Sequence, residues 1–275
     1  MRTERFKGAL LSTLMVASLM ALAMSFLSVS RASAQPLGIV SYWTFDDGTA
    51  KDTVGTNDGT IYGATWTTGK VDGALSFDGD GDYVWVSDDP SLDISEKITI
   101  EAWVNITDRS DFRAVVVKQG NYHFRIHNGY LGFVFWTTSG WRGAEDDTTL
   151  LDTLTWYHIA VSFDTVNDVI KFYVNGNNVK TITNVWDMIT NDNPFTIGRQ
   201  TGALYTNYFN GIIDEVAIYN RILAPEEIQQ HYENGLKGLG YTAPPPVGVT
   251  VIPVIILAAL IAITAASIVV YRRRR

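Results

Sequence analysis

Between Ile39 and Ile222 the sequence is a succession of short runs rich in Val, Ile, Tyr, Phe, Trp and Thr, separated by clusters of Gly, Asn and Asp. β-branched and aromatic residues fit a pleated, half-buried surface, and the small polar residues supply the turns between strands. Helical periodicity is absent over this stretch. Alternation is clearest in 98–104, 156–163 and 170–174, so each of these strands buries one face. Asn175-Gly176 follows the last of them and is a hairpin signal, because both residues tolerate φ > 0; 179–182 is the returning strand. Roughly a dozen strands of ordinary length fit the stretch, and two stacked sheets let them bury their apolar faces. After Arg221 the texture changes. Pro225 sits at a helix start, Glu226 and Glu227 fall in the first turn, and Ile228 and Tyr232 are apolar, which predicts one short terminal helix.

The two ends carry different signals. Arg2, Arg5 and Lys7 precede an apolar run from about Ala9 to Val29, and Ala32-Ser33-Ala34 supplies a small-residue cleavage site, so 1–34 is predicted to be an export signal. An uncleaved signal anchor is the alternative, since the run approaches the length of a membrane span. At the other end, 247–270 carries no charge and is long enough at about 1.5 Å per residue to cross a ~30 Å hydrocarbon core. Tyr271 falls at interface depth, and Arg272 to Arg275 form a cytoplasmic stop by the positive-inside rule. The predicted plan is a β domain over 35–237, a Gly/Pro spacer over 238–246, a single transmembrane helix over 247–271 and a basic tail over 272–275. A spacer, an apolar span and an arginine cluster also resemble sorting signals that are cut after export, though no cleavage motif is evident. The expected location is the cell membrane, single-pass, with the β domain extracellular.

Without the signal and tail, thirteen Lys and Arg face twenty-eight Asp and Glu, a balance of about −15. That balance argues against nucleic acid or an anionic lipid surface as partner. The absence of cysteine excludes disulfide staples, thiol chemistry and cysteine metal sites.

The order of the motifs is itself informative. Val40-Ser41-Tyr42-Trp43-Thr44-Phe45-Asp46-Asp47-Gly48, the turn at Asn57-Asp58-Gly59-Thr60, and Gly73-Ala74-Leu75-Ser76-Phe77-Asp78-Gly79 running into 81–86 resemble the laminin-G-like, concanavalin A-like jelly-roll domains. So do the later runs 98–104, 156–163, 172–176, 195–199 and 209–221, in the same order, and the ending at Pro225-Glu226-Glu227-Ile228. The resemblance covers about 38–236. It implies an all-β, two-sheet antiparallel jelly-roll sandwich with a convex and a concave face and with rim loops that often bind sugars, proteins or calcium. It does not choose among those ligands.

Candidate chemistry is sparse. Glycoside hydrolysis needs two carboxyl groups about 5–9 Å apart, and the spaced Glu-x-Asp-x-x-Glu run of related sandwich hydrolases is missing. Glu101 stands alone, and Asp214-Glu215 is an adjacent pair whose side chains are expected on opposite faces of a strand. His123, His127, His158 and His231 form no helical metal pair. Structural calcium is the stronger expectation: Asp46 ends the opening strand, Asp214 starts the closing one, and carbonyls near Asn57 to Gly59 complete the shell. The resemblance supports that placement. Asp78-Gly79-Asp80-Gly81-Asp82 lacks the closing glutamate of an EF-hand loop and is expected to be a tight hairpin turn. Most tryptophans are expected in the core, with Trp43, Trp85, Trp103 and Trp156 inside strand runs. Trp141 with Arg142, and Tyr205 with Asn207, fall in turn-like segments and are the candidate ligand-binding residues at the rim.

The expected function is a membrane-anchored, lectin-like or adhesion module that recognises an extracellular carbohydrate or protein and is not an enzyme. A structural envelope component without a small ligand is the alternative, and a glycoside-active enzyme a weaker third.

Overall fold

A computed structural model describes residues 38–241, except 111, 184–185 and 202–205. The expected signal, the transmembrane segment, the basic tail and Tyr205 therefore lie outside the described residues. Among the described residues, no helix is long and apolar enough to cross a membrane.

The short β runs pair into two antiparallel sheets. One is ordered β13 (Asn177–Thr183), β12 (Val169–Val174), β11 (Trp156–Asp164), β6 (Lys97–Ile106), β17 (Asn210–Tyr219), β4 (Gly73–Asp78) and β3 (Thr65–Thr68), with β1 (Ile39–Trp43) also paired to β17. The other is ordered β10 (Gly140–Glu145), β9 (Tyr130–Thr137), β8 (Tyr122–His127), β7 (Phe112–Lys118), β14 (Phe195–Ile197), β5 (Tyr83–Val86) and β2 (Gly59–Tyr62). A small ribbon of β15 (Arg199–Thr201) and β16 (Thr206–Tyr208) stands apart from both.

Alternation directs one face of each sheet inwards, where the two sets of side chains meet. Trp43 lies against Phe195 of the opposite sheet at 5.3 Å, and Phe135 meets Phe163 at 4.8 Å. Each such ring fully withdrawn from water contributes about 1.5–3 kcal/mol before chain entropy is charged against it. The hairpin at Asn175-Gly176 forms as expected, with φ of 50° and 77°. Two other expectations fail. The acidic run 78–82 is a tight turn, with φ of 89° at both Gly79 and Gly81, but it carries the chain from β4 in one sheet to β5 in the other and so closes no hairpin. The segment around Trp141 is the edge strand β10, paired with β9 throughout its length.

The eight-stranded sheet is buried on its outer face too. There Tyr42, Trp103, Tyr173 and Tyr219 are covered by helix α1 (Pro225–Gly235) and by Tyr241. The helix seats closely because Gly235 has no side chain: a Cβ there would stand 2.5 Å from the Trp103 ring. Its first turn is fixed by Glu227, which accepts from the Ala224 amide and holds Arg221 through two bonds of 2.8 Å. Under the helix, His231 Nδ1 lies 2.7 Å from Glu101, and Tyr241 stacks on Tyr42. The fold thus runs to Tyr241, four residues past the expected limit, and takes up part of the expected spacer.

Candidate binding face

Among the described residues, no helix lies over the outer face of the seven-stranded sheet. Register and alternation place Trp141, Gly143 and Glu145 on this face from β10, and Gly132, Val134 and Trp136 from β9. His123, Arg125 and His127 follow from β8, Ala114 and Val117 from β7, Thr196 from β14, and Trp85 and Tyr83 from β5. Towards the middle, Ala114, Val117 and Thr196 carry short side chains, while Arg125 lies across Gly132, where a Cβ would stand 3.2 Å from it. The edge is different. Trp136 and Trp141 are directly opposite each other across the β9–β10 pair and remain 40% and 57% exposed.

Trp141 is exposed as expected, but Trp136 was not singled out in the sequence, because its strand reads apolar on both sides. The expectation that most tryptophans are core is also corrected. Trp43 and Trp103 are buried, Trp85 and Trp156 half-buried, and Trp66, Trp136, Trp141 and Trp186 exposed. Arg142, next to Trp141 on a strand, necessarily turns the other way. Its guanidinium lies 5.3 Å from the Trp186 ring at the side of the sandwich, so Trp141 and Arg142 do not act on one surface. Towards the centre, Glu145 is held by Arg125 at 2.9 Å and His127 at 3.0 Å. His123 is buried, which lowers its pKa to about 4, with the Arg125 charge adding to the effect, so it is neutral at pH 7. Among the described strand residues of this face Glu145 is the only carboxylate, where glycoside hydrolysis needs two.

At the far end Tyr62 stacks on Tyr83, with centroids 4.7 Å apart and planes 11° from parallel. The Arg199 guanidinium lies 4.2 Å from the centre of the same Tyr83 ring. Asn207 sits on the β15–β16 ribbon opposite Gln200, next to Tyr208. The ribbon runs beside β7, the middle strand of the sheet, where Arg113 donates to the Tyr208 carbonyl at 3.2 Å. Trp141 and Asn207 are therefore apart, with three strand spacings, about 14 Å, between β10 and β7.

The expected calcium residues meet on the other sheet. The 69–73 turn donates backbone amides to both, Lys70 and Val71 to Asp214 Oδ2 at 2.8 and 3.0 Å and Gly73 to Asp46 Oδ1 at 3.2 Å. The expectation that Asp214 and Glu215 diverge is corrected. A bulge between Asp214 and Ala217, with Glu215 at φ 52°, brings both carboxyl groups to the same outer face. Burial, opposed by the amides and reinforced by the Asp46 charge, raises the Asp214 pKa to about 8. Burial and the Asp214 charge raise that of Glu215. One oxygen of each, Asp214 Oδ1 and Glu215 Oε1, is buried without a partner. Such oxygens suit a hard cation in kind. The Asn57 carbonyl, expected in the same shell, accepts Trp43 Nε1 at 2.9 Å.

Asp88, Asp93 and Asp192 also bring carboxylate oxygens within 4.8 Å of one another. The buried ammonium of Lys118 already serves as the cation of two of them: it bonds Asp88, lies 3.0 Å from Asp93 and donates to the Asn193 carbonyl at 2.6 Å.

A family profile described as the concanavalin A-like lectin/glucanases superfamily matches residues 78–229, more than half of the chain. Domain 4 of AbnA, a GH43 extracellular arabinanase from Geobacillus stearothermophilus solved with arabinotriose, superposes with a TM-score of 0.58. It is 23% identical over 70% of this chain and 96% of that one. The binding domain of Paraclostridial Mosquitocidal Protein 1 gives 0.60 at 15% identity, over 71% of this chain and 52% of that one. The ligand-binding domain of botulinum neurotoxin serotype D, in complex with N-acetylneuraminic acid, gives 0.56 at 14% identity, over 71% of this chain and 50% of that one. At these identities the structures share the fold alone. No curated protein matches the sequence.

Proposed function

Because the chain belongs to the concanavalin A-like lectin/glucanases superfamily, we propose that it is a carbohydrate-binding module that holds its ligand against Trp136 and Trp141 and does not turn it over. The observation that carries this reading is the directly opposed pair of exposed tryptophans on an uncovered sheet face. With 40% and 57% of the two residues still in water, a ligand that covers them recovers about half of the ~1.5–3 kcal/mol that full burial of such a ring gives. A flat indole suits the apolar face of a sugar, and its N–H can orient a hydroxyl. The arabinotriose and N-acetylneuraminic acid of the similar folds make those two sugars the first to try. Trp141→Ala is expected to weaken glycan binding about tenfold or more while the Tm stays within a few degrees, as for a surface ring. Normal glycan affinity in Trp136→Ala and Trp141→Ala alike would refute the placement.

Calcium belongs to the same proposal as a structural ion, with Asp214 and Glu215 as its buried ligands and Asp46 at the exposed side. What supports it is the pair of orphaned oxygens on the bulge. The charge-free 247–270 run and the four arginines after it support a single membrane tether with the module outside the cell. Protease added to intact cells should then remove the module, and full protection would reverse the topology.

A further inference from the structure

We propose that Arg199, with Tyr83 and Tyr62 beside it, is a second subsite on this face and takes the carboxylate of an acidic sugar. This deepens the carbohydrate-binding reading and rests on it. Six arginines are described, and four of them, Arg109, Arg113, Arg125 and Arg221, each hold a carboxylate. Among the described residues, Arg142 and Arg199 hold none. Carboxylates are not in short supply, since acids outnumber bases by about two to one in this domain.

Arg199 differs from Arg142 in how it is held. Arg142 donates to the Trp141 carbonyl at 3.1 Å. Arg199 makes no side-chain hydrogen bond among the described residues, and its Nε is buried without a partner. Aromatic rings fix it instead: Tyr83 lies 4.2 Å and Tyr208 5.9 Å from the guanidinium. A brace for the ribbon does not require this arrangement, because the Thr196 hydroxyl bonds the Arg199 carbonyl at 2.6 Å and the β15–β16 ladder is complete without the side chain. The result is a planar fork of N–H donors, oriented in advance and unused, on a face that already offers stacking surfaces.

Such a fork matches a carboxylate, which accepts two parallel N–H bonds in its plane. Tyr62, 45% exposed and stacked on Tyr83, supplies an aromatic surface next to it for the ring that bears or adjoins the acid. The ligand class is therefore a uronic- or sialic-type glycan.

The test uses the full chain in detergent, titrated calorimetrically with trigalacturonic acid and with neutral galactotriose. The acidic trisaccharide is expected to bind about tenfold more tightly than the neutral one. Arg199→Gln should make the two affinities equal, and Arg199→Lys, which keeps the charge but loses the fork, should forfeit most of the difference. Trp141→Ala should weaken both sugars alike. Equal affinities in the native chain overturn the subsite, as does an acid preference that survives Arg199→Gln. So does displacement of the acidic sugar by inorganic phosphate at matched concentration, which would mark a general anion site. If neither trisaccharide nor arabinotriose binds, the carbohydrate reading of the whole face fails, whereas equal binding sinks the acidic subsite alone.

Discussion

Replacing Tyr241 by alanine tests where the fold ends. The ring is 2% exposed and lies 5.4 Å from Tyr42, 5.1 Å from His231 and 5.6 Å from His158, so its removal opens a hole bounded by three rings. Truncating a buried aromatic to alanine costs about 3–5 kcal/mol when the site cannot collapse. The segment leading to Tyr241 is exposed at Leu236 and Leu239, so the hole adjoins solvent on that side and can partly fill. The lower end, about 3 kcal/mol, is therefore expected. At about 2–4 °C per kcal/mol for a domain of this size, the Tm should fall by roughly 6–12 °C. The hydroxyl itself has no partner, so Tyr241→Phe should cost less than about 1 kcal/mol. The Tyr241 amide, which donates to the Tyr42 hydroxyl at 3.1 Å, is untouched by either change. Urea unfolding of a 35–246 fragment and its variants measures these values, and a 35–236 fragment should resemble or fall below Tyr241→Ala. A loss under about 1 kcal/mol for Tyr241→Ala, with the shorter fragment as stable as the longer, would refute the argument that the segment belongs to the fold.

The acid pair on the bulge makes stability depend on pH. Asp214 titrates at about 8 when folded and at the ordinary carboxylate value when unfolded, so the folded state retains the proton and stability falls as pH rises towards 8. His158, which burial lowers to about 3, acts the other way, but only below the unfolded histidine range near 6.5. In chelator, therefore, the Tm should drop between pH 6.5 and 8, with Asp214 contributing about 1–2 kcal/mol; Asp214→Asn should flatten the slope without abolishing it, because Glu215 and His231 are shifted upwards too. Millimolar calcium should raise the Tm, by about 2.7 kcal/mol of stability at a hundredfold excess over Kd, and an identical Tm in chelator would refute the ion. Lys118→Met leaves the carboxylates of Asp88 and Asp93 without their buried counter-charge and should cost about 3–5 kcal/mol in urea unfolding; a loss below 1 kcal/mol would show that solvent already neutralises them.

The sandwich was legible because alternation, turn residues and motif order all pointed the same way. The features that escaped share a physical cause, which is that they depend on partners remote in sequence. Trp136 lies in Tyr130-Leu131-Gly132-Phe133-Val134-Phe135-Trp136-Thr137, where both sides are apolar and only the pairing with edge strand β10 decides which side faces water. Glu215 adopts a left-handed backbone that its residue type does not announce, so strict alternation misplaced it. Tyr241, set among glycines, resembled spacer until the outer face of the eight-stranded sheet was seen to need covering. Arg142 and Trp141 seemed a pair in a turn, and a strand separates them. For Arg199 the signal was present in part, since it lies in a run that carries the family resemblance, but only geometry shows that its donors are unused.

Strand β17 is the penultimate element of the fold, yet it pairs with β1, β4 and β6 at once. A nascent chain that has not yet delivered Asn210 to Tyr219 therefore has three strands with open edges, and β1 has nowhere to go for some 180 residues of synthesis. Chains released before that point would expose paired-strand edges and the Trp43 side of the core, which are the surfaces that aggregate. The closing of both core and sheet edges thus waits on the last strand to be made, however early β1 is available.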